Sequence, residues 1–281
     1  MTLSLRSQSR CFNGSMNYYT HDSSACNAPM NFALYLPPQA QTQSVPVLYY
    51  LSGLTCSEEN FSIKAGAQRF AAELGIMLVI PDTSPRRTGI VGEDDSIDLG
   101  SGAGFYVDAT QDPWKAHYQM YTYITRELPQ LIWTHFPGRA DKQGIFGHSM
   151  GGHGALVCGL TNPDKYLSLS AFAPIAAPIG TELGDKAFSA YLGENRSAWK
   201  AYDATELVRR YQFRDTILID QGTADEYYEK QLLLPEKFVS ACKESGQSVN
   251  FRLHRGYDHG YFMISTFIED HLRHHARILC Q

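Results

Sequence analysis

Gly144-Ile145-Phe146-Gly147-His148-Ser149-Met150-Gly151-Gly152-His153-Gly154-Ala155-Leu156 is the stretch that decides the fold. Its first residues close a buried apolar strand, Gly152–Leu160 reads as a helix, and a Gly-x-Ser-x-Gly turn stands between them. A serine hydroxyl is lifted off the end of a parallel sheet in this way. The turn is strained, and side chains flanking it would clash with the strand and the helix, so only small residues fit there. The bland alternative is a glycine-rich helix entry with an ordinary N-terminal serine.

Working outward, apolar runs of strand length alternate with longer amphipathic segments, the pattern of βα units in a parallel sheet. It predicts buried strands at Val45–Leu51, Ile76–Ile80, Gln143–Phe146, Leu167–Phe172, Thr216–Ile219 and Val249–Leu253. Helices are expected near Ser62–Leu74, Lys115–Thr134, Gly152–Leu160, Gln231–Glu244 and Tyr261–Leu279. Upstream, short aromatic or apolar runs at Met16–Thr20, Asp22–Pro29 and Asn31–Leu36, separated by turn residues, predict antiparallel strands. Thr83–Asp112 and Ala173–Leu207 fit no simple unit, and long irregular insertions of this kind commonly carry function. No repeat or linker divides the chain, which predicts one α/β domain over residues 1–281.

Composition narrows the function. The 281 residues are 43% hydrophobic and 19% charged, ordinary for a globular chain and unlike a disordered or fibrous one. A net charge of −5 with no long basic run argues against nucleic acid or an anionic membrane as partner and favours a small metabolite. The opening MTLSLRSQSRCFNG lacks the apolar core of a secretory signal, and no stretch approaches the roughly 18 apolar residues of a spanning helix, so a cytoplasmic location is expected. The six cysteines form no Cys-x-x-Cys pair, so free thiols and no metal site are expected.

A serine hydroxyl needs a base to take its proton, and the base needs a carboxylate to fix its tautomer. In this architecture the partners follow in the order Ser, acid, His. Among the late histidines His254 belongs to a strand. His271, His274 and His275 lie at helical spacing beside Arg273 and Arg277 and are expected on a solvated helix face. That leaves His259, in the turn after the last strand. Asp220, Asp225 and Glu226 follow the strand before it. Asp225 is the candidate acid because it lies past the Gly222 turn, although a carboxylate here could simply cap the next helix. The oxyanion of a tetrahedral intermediate needs two backbone N–H donors. Met150 follows the nucleophile, and Leu54 lies in the loop Leu51-Ser52-Gly53-Leu54-Thr55-Cys56 after an earlier strand.

At that loop, at Pro81-Asp82-Thr83-Ser84-Pro85-Arg86, at Gly102–Thr110, at Phe146–Leu156, at Asp220-Gln221-Gly222 and at Gly256-Tyr257-Asp258-His259 the sequence strongly resembles the S-formylglutathione hydrolases, also called the esterase D family. The resemblance spans nearly the whole chain. It implies an α/β-hydrolase fold, with a mostly parallel sheet, antiparallel N-terminal strands and helices on both faces. It also implies a cofactor-free enzyme that splits S-formylglutathione into glutathione and formate, with Ser149, Asp225 and His259 as triad and Leu54 and Met150 as oxyanion donors. A cytoplasmic homodimer and a modifiable Cys56 near the active site are implied as well. Ile97 stands where many relatives carry Trp, which is expected to alter the pocket wall, and Thr223-Ala224 replaces a more acidic pairing. A general short-chain carboxylesterase, an acyltransferase or a non-catalytic binding module would share the same scaffold.

Overall fold

The computed structural model describes residues 2–281. Among the described residues, nine strands form one sheet in the order β1-β2-β3-β5-β4-β6-β7-β8-β9. They are β1 (Leu3–Cys11), β2 (Gly14–Ser23), β3 (Ala28–Leu36), β4 (Val45–Leu51), β5 (Met77–Pro81), β6 (Gly138–His148), β7 (Tyr166–Phe172), β8 (Ile217–Gly222) and β9 (Val249–His254). β1, β2, β3 and β5 pair antiparallel; every pair from β5 through β9 is parallel. This is the α/β-hydrolase fold.

Two-residue alternation along the strands separates two cores. Leu34, Val47, Tyr49, Val79 and Ile145 face one side and pack with the helices Leu128–His135, Met150–Thr161 and Pro235–Ser245. Tyr35, Leu48, Tyr50, Leu78 and Phe146 face the other and meet Phe61, Ala71, Ile264 and Ile268 of the helices Glu58–Lys64, Ala67–Leu74 and Tyr261–Leu279. Helices therefore cover both faces. No helix among the described residues is long and apolar enough to cross a membrane.

The structure corrects several expectations. β1 has no counterpart in the sequence reading; seven of its nine residues are exposed, so no apolar alternation marks it. The helix expected over Ser62–Leu74 is two. The first starts at Glu58 behind a capping box, where Ser57 Oγ accepts the Glu59 N–H and Asn60 Oδ1 accepts the Ser57 N–H. Gly66, at φ 69°, turns the chain into the second, Ala67–Leu74. The expected Lys115–Thr134 helix is a chain of short turns, among them a π-helical segment at Tyr123–Glu127, before Leu128–His135.

The largest correction concerns His271 and His275. They do not lie on a solvated face; both are fully buried against the sheet. Ser170 Oγ lies 2.8 Å from both His271 Nδ1 and His275 Nε2, and Ser168 Oγ lies 2.6 Å from His275 Nδ1. His271 Nε2 is 3.3 Å from Asp220 Oδ2, and Asp220 takes both prongs of Arg252 at 2.6 Å. Buried polar groups need partners, and serines on β7 supply them. His274, with Arg273 and Arg277, does stand nearer the surface, half-buried.

Burial lowers the protonation constants of His271 and His275 below the ordinary 6.5. The unfolded chain therefore binds protons that the folded chain refuses once the pH falls past about 6.5, and stability is full above that value and declines below it. Asp220 acts only in stronger acid, because its carboxyl is depressed by His271 and Arg252 against the opposing effect of burial. The urea midpoint at pH 5 is expected to lie below that at pH 7.5; equal midpoints would contradict the neutral buried imidazoles.

Candidate active site

Parallel pairing brings the carboxyl ends of β4, β6, β8 and β9 to one edge of the sheet, with Leu51 opposite Gly147 and Gly222 opposite His254. β5 lies on one side of β4 and β6 on the other, so the winding reverses between β4 and β6 and a crevice opens there, the usual place for a ligand in an open α/β sheet.

Ser149 follows β6 at this crevice with φ 58° and ψ −120°, a strained conformation for a residue with a Cβ. Its backbone is fixed on both sides. Its N–H donates to Phe172 O at 3.0 Å, and its carbonyl accepts from His153 N at 2.9 Å and Ile175 N at 3.2 Å. The flanking glycines are steric necessities: a Cβ on Gly147 would sit 2.2 Å from Gly151 O, and one on Gly151 would sit 1.9 Å from Leu51 O. Met150 opens the helix Met150–Thr161, so its N–H has no intrahelical acceptor and points outward from the helix N-terminus.

The loop after β4 faces this turn. Tyr106 donates its hydroxyl to Ser52 O at 2.9 Å, and Thr55 N donates to Gly102 O at 2.9 Å. The Cys56 carbonyl accepts from Thr83 Oγ1 at 2.5 Å and from Arg86 Nη2 at 3.0 Å. Arg86 is itself clamped on both oxygens of buried Asp82 at 2.8 and 2.9 Å. With Ser52, Thr55 and Cys56 all tied, Leu54 is held between fixed points. Among the described residues its N–H meets no protein acceptor. Thus part of the irregular Thr83–Asp112 stretch buttresses the site.

Asp225, beyond β8, is fully buried and divides its two oxygens between two tasks. Oδ1 accepts the N–H groups of Tyr227 at 2.8 Å and Tyr228 at 3.2 Å, capping the short helix Glu226–Glu229. Oδ2 lies 2.5 Å from His259 Nδ1 and accepts Gln221 Nε2 at 2.9 Å. Capping and holding the imidazole are therefore not alternatives; the carboxylate does both. Burial alone would raise the Asp225 carboxyl, but hydrogen bonds from His259 and Gln221 and the attraction of an imidazolium outweigh it and hold the carboxyl below its usual range. Of the competing acids, Asp220 is within β8 and engaged by Arg252, and Glu226 faces out to Lys230.

Gly53, Leu54, Cys56, His148, Ser149, Tyr227, His259 and Tyr261 line one cavity of about 150 Å³. Every residue proposed from sequence for the site is on this wall except Asp225, which stands behind His259, and Met150, buried under Ser149 at the helix start. Ile97 is not: it is 73% exposed and absent from the lining of this cavity. Sequence reasoning missed Gln221, His148, Tyr227 and Tyr261. The signals for three of them were proximity in the chain, since Gln221 and Tyr227 flank Asp225 and His148 precedes the serine; Tyr261 lay hidden as the first residue of the last helix.

A model of the Esterase family matches residues 23–274. The chain is 56% identical to an S-formylglutathione hydrolase of Mus musculus, over 99% of each chain. It is 51% identical to one of Paracoccus denitrificans, over 97% of each. The solved structure of an S-formylglutathione hydrolase from Agrobacterium tumefaciens superposes with a TM-score of 0.95 at 47% identity, covering 98% of this chain and 99% of the other. Kinship at that level over the full length, on top of a hydroxyl, an imidazole and a carboxylate converging at the switch point of the sheet, leaves one conclusion: the chain is a hydrolase that belongs to the Esterase family and, within it, to the S-formylglutathione hydrolases.

Proposed function

We propose that this chain hydrolyses S-formylglutathione to glutathione and formate, with Ser149 as nucleophile, His259 as base and Asp225 as the acid that orients it. The observation that carries the reading is the 2.5 Å approach of Asp225 Oδ2 to His259 Nδ1, with the same imidazole lining the cavity that Ser149 lines. That contact fixes the proton on Nδ1 and leaves Nε2 basic.

Ser149 Oγ attacks the formyl carbon while its proton passes to His259 Nε2, and the carbonyl oxygen becomes an oxyanion held by the Leu54 and Met150 N–H groups. Collapse breaks the carbon–sulfur bond, and the departing thiolate takes the proton from His259 as glutathione. Water then attacks the formyl ester, giving its proton to His259. The second collapse returns that proton to Ser149 Oγ and releases formate. No step calls for a cofactor. The enzyme is a single domain acting as a homodimer in the cytoplasm.

A cavity of about 150 Å³ suits a small acyl group, which favours the short-acyl reading over that of a broad carboxylesterase. kcat/KM is expected to be highest for S-formylglutathione, lower for acetyl esters and lowest for octanoyl esters, since close-packed walls resist long chains. Octanoyl turnover equal to acetyl turnover would overturn the acyl-pocket argument, and negligible activity on S-formylglutathione would overturn the substrate.

Cys56 shares the cavity wall, so a bulky adduct on its sulfur would obstruct the acyl site. Burial raises its thiol, with Tyr261 and the charges of Lys64 and Arg86 opposing, and a thiol in that state reacts slowly with electrophiles. Slow inactivation by thiol reagents is expected to disappear in Cys56→Ser; undiminished sensitivity would assign the effect to another cysteine.

A further inference from the structure

A single hydrogen bond from Nδ1 leaves an imidazole free to swing about the line of that bond, and swinging carries Nε2 away from the serine. His259 is restrained by more than its carboxylate. The ring of His148 lies 4.5 Å from its centroid, tilted 47°, and the ring of Tyr227 lies 4.6 Å away, tilted 45°. We propose that His148 and Tyr227 are positioning residues for the hydrolysis, their rings forming a slot that sets the plane of the His259 imidazole so that Nε2 stays on the cavity shared with Ser149. This rests on His259 being the base.

Each wall of the slot is placed by a part of the site already fixed. His148 ends β6 and directly precedes Ser149, so the same strand end sets the nucleophile and one face of the base. Tyr227 is the second residue of the helix Glu226–Glu229 and donates its own N–H to Asp225 Oδ1. Through its two oxygens Asp225 thus fixes both the edge of the imidazole and the ring packed against it. Burial pushes His148 well below the ordinary histidine range, with the nearby His259 charge acting in the same direction. It therefore presents an uncharged ring to the imidazolium that forms during proton transfer. The face of Tyr227 is itself attractive to that cation.

The test is Tyr227→Leu beside Tyr227→Phe, with thermal denaturation to confirm that both are folded. In the leucine variant kcat is expected to fall about tenfold with a smaller change in KM, because a leucine still closes the cavity wall that Tyr227 lines while the alignment of the base is lost. Labelling of Ser149 by a fluorophosphonate, which reads nucleophile activation without the natural substrate, is expected to slow in parallel. The phenylalanine variant keeps the ring and is expected to behave like the parent. His148→Phe and His148→Leu form a second pair with the same expected split. Unchanged kcat in both leucine variants, a rise in KM alone, or equal loss in the phenylalanine variants would overturn the slot. Those results with an inactive His259→Ala remove only the slot, whereas an active His259→Ala removes the base itself.

Discussion

Ser149→Ala is expected to lower kcat by about 10⁶-fold, the scale on which a serine nucleophile is lost when its triad acts as a unit. The remaining rate comes from the Leu54 and Met150 N–H groups and from substrate binding, which the substitution leaves intact. Initial rates on S-formylglutathione at saturating substrate check this, and a loss of less than a hundredfold would remove the nucleophile assignment. Ser149→Gly is expected to be as inactive, but not as stable as alanine: at φ 58° and ψ −120° any Cβ is strained, and glycine is not. Relief of that strain, of order 1–3 kcal/mol, exceeds the 0.5–1 kcal/mol entropic disadvantage of glycine, so the glycine variant is expected to melt at the higher temperature. The two variants separate what the hydroxyl does for chemistry from what the turn costs the fold.

Asp225→Asn is expected to lower kcat by about 10⁴-fold with little change in KM, as loss of the correct histidine tautomer does in other triads. The cause lies in the partners. All four groups around the carboxylate are donors: Tyr227 N and Tyr228 N on Oδ1, and Gln221 Nε2 and His259 Nδ1 on Oδ2. An amide has one oxygen. Whichever way it turns, its NH2 faces donors, so either the helix cap is broken or His259 is driven to carry its proton on Nε2, where it cannot act as a base. The cap has a separate readout, because loss of an N-cap destabilises by about 1 kcal/mol. Near-parental kcat in a folded Asp225→Asn protein would show that another group orients the imidazole.

How far the sequence spoke for the structure depended on whether a residue's role was local. β4 was legible to the residue, Val45–Leu51, because a strand buried on both faces is a continuous apolar run. The Gly-x-Ser-x-Gly turn was legible because crowding at Gly147 and Gly151 dictates their identity. β1, with Leu-Ser-Leu-Arg-Ser-Gln-Ser-Arg-Cys exposed along most of its length, left no pattern, since its hydrogen bonds to β2 are made by backbone and not by side-chain type. His271 and His275 were misread because a polar residue on a helix ordinarily faces water; their encounter with Ser168 and Ser170, about a hundred residues away, and that of His271 with Asp220, make burial affordable. Asp225 was legible as the acid from its place after the Gly222 turn, but its second oxygen's duty, and through it the ring of Tyr227, depends on distances that no spacing encodes.

The four strand ends that furnish the chemistry all belong to the parallel half of the sheet, while β1, β2 and β3 extend the other half and contribute no group to the cavity. Labour in this molecule is split along the sheet: one flank performs and the other gives bulk. Sequence can drift on β1, whose side chains are mostly exposed, or a fused segment be carried at that outer margin, without any reacting atom changing place.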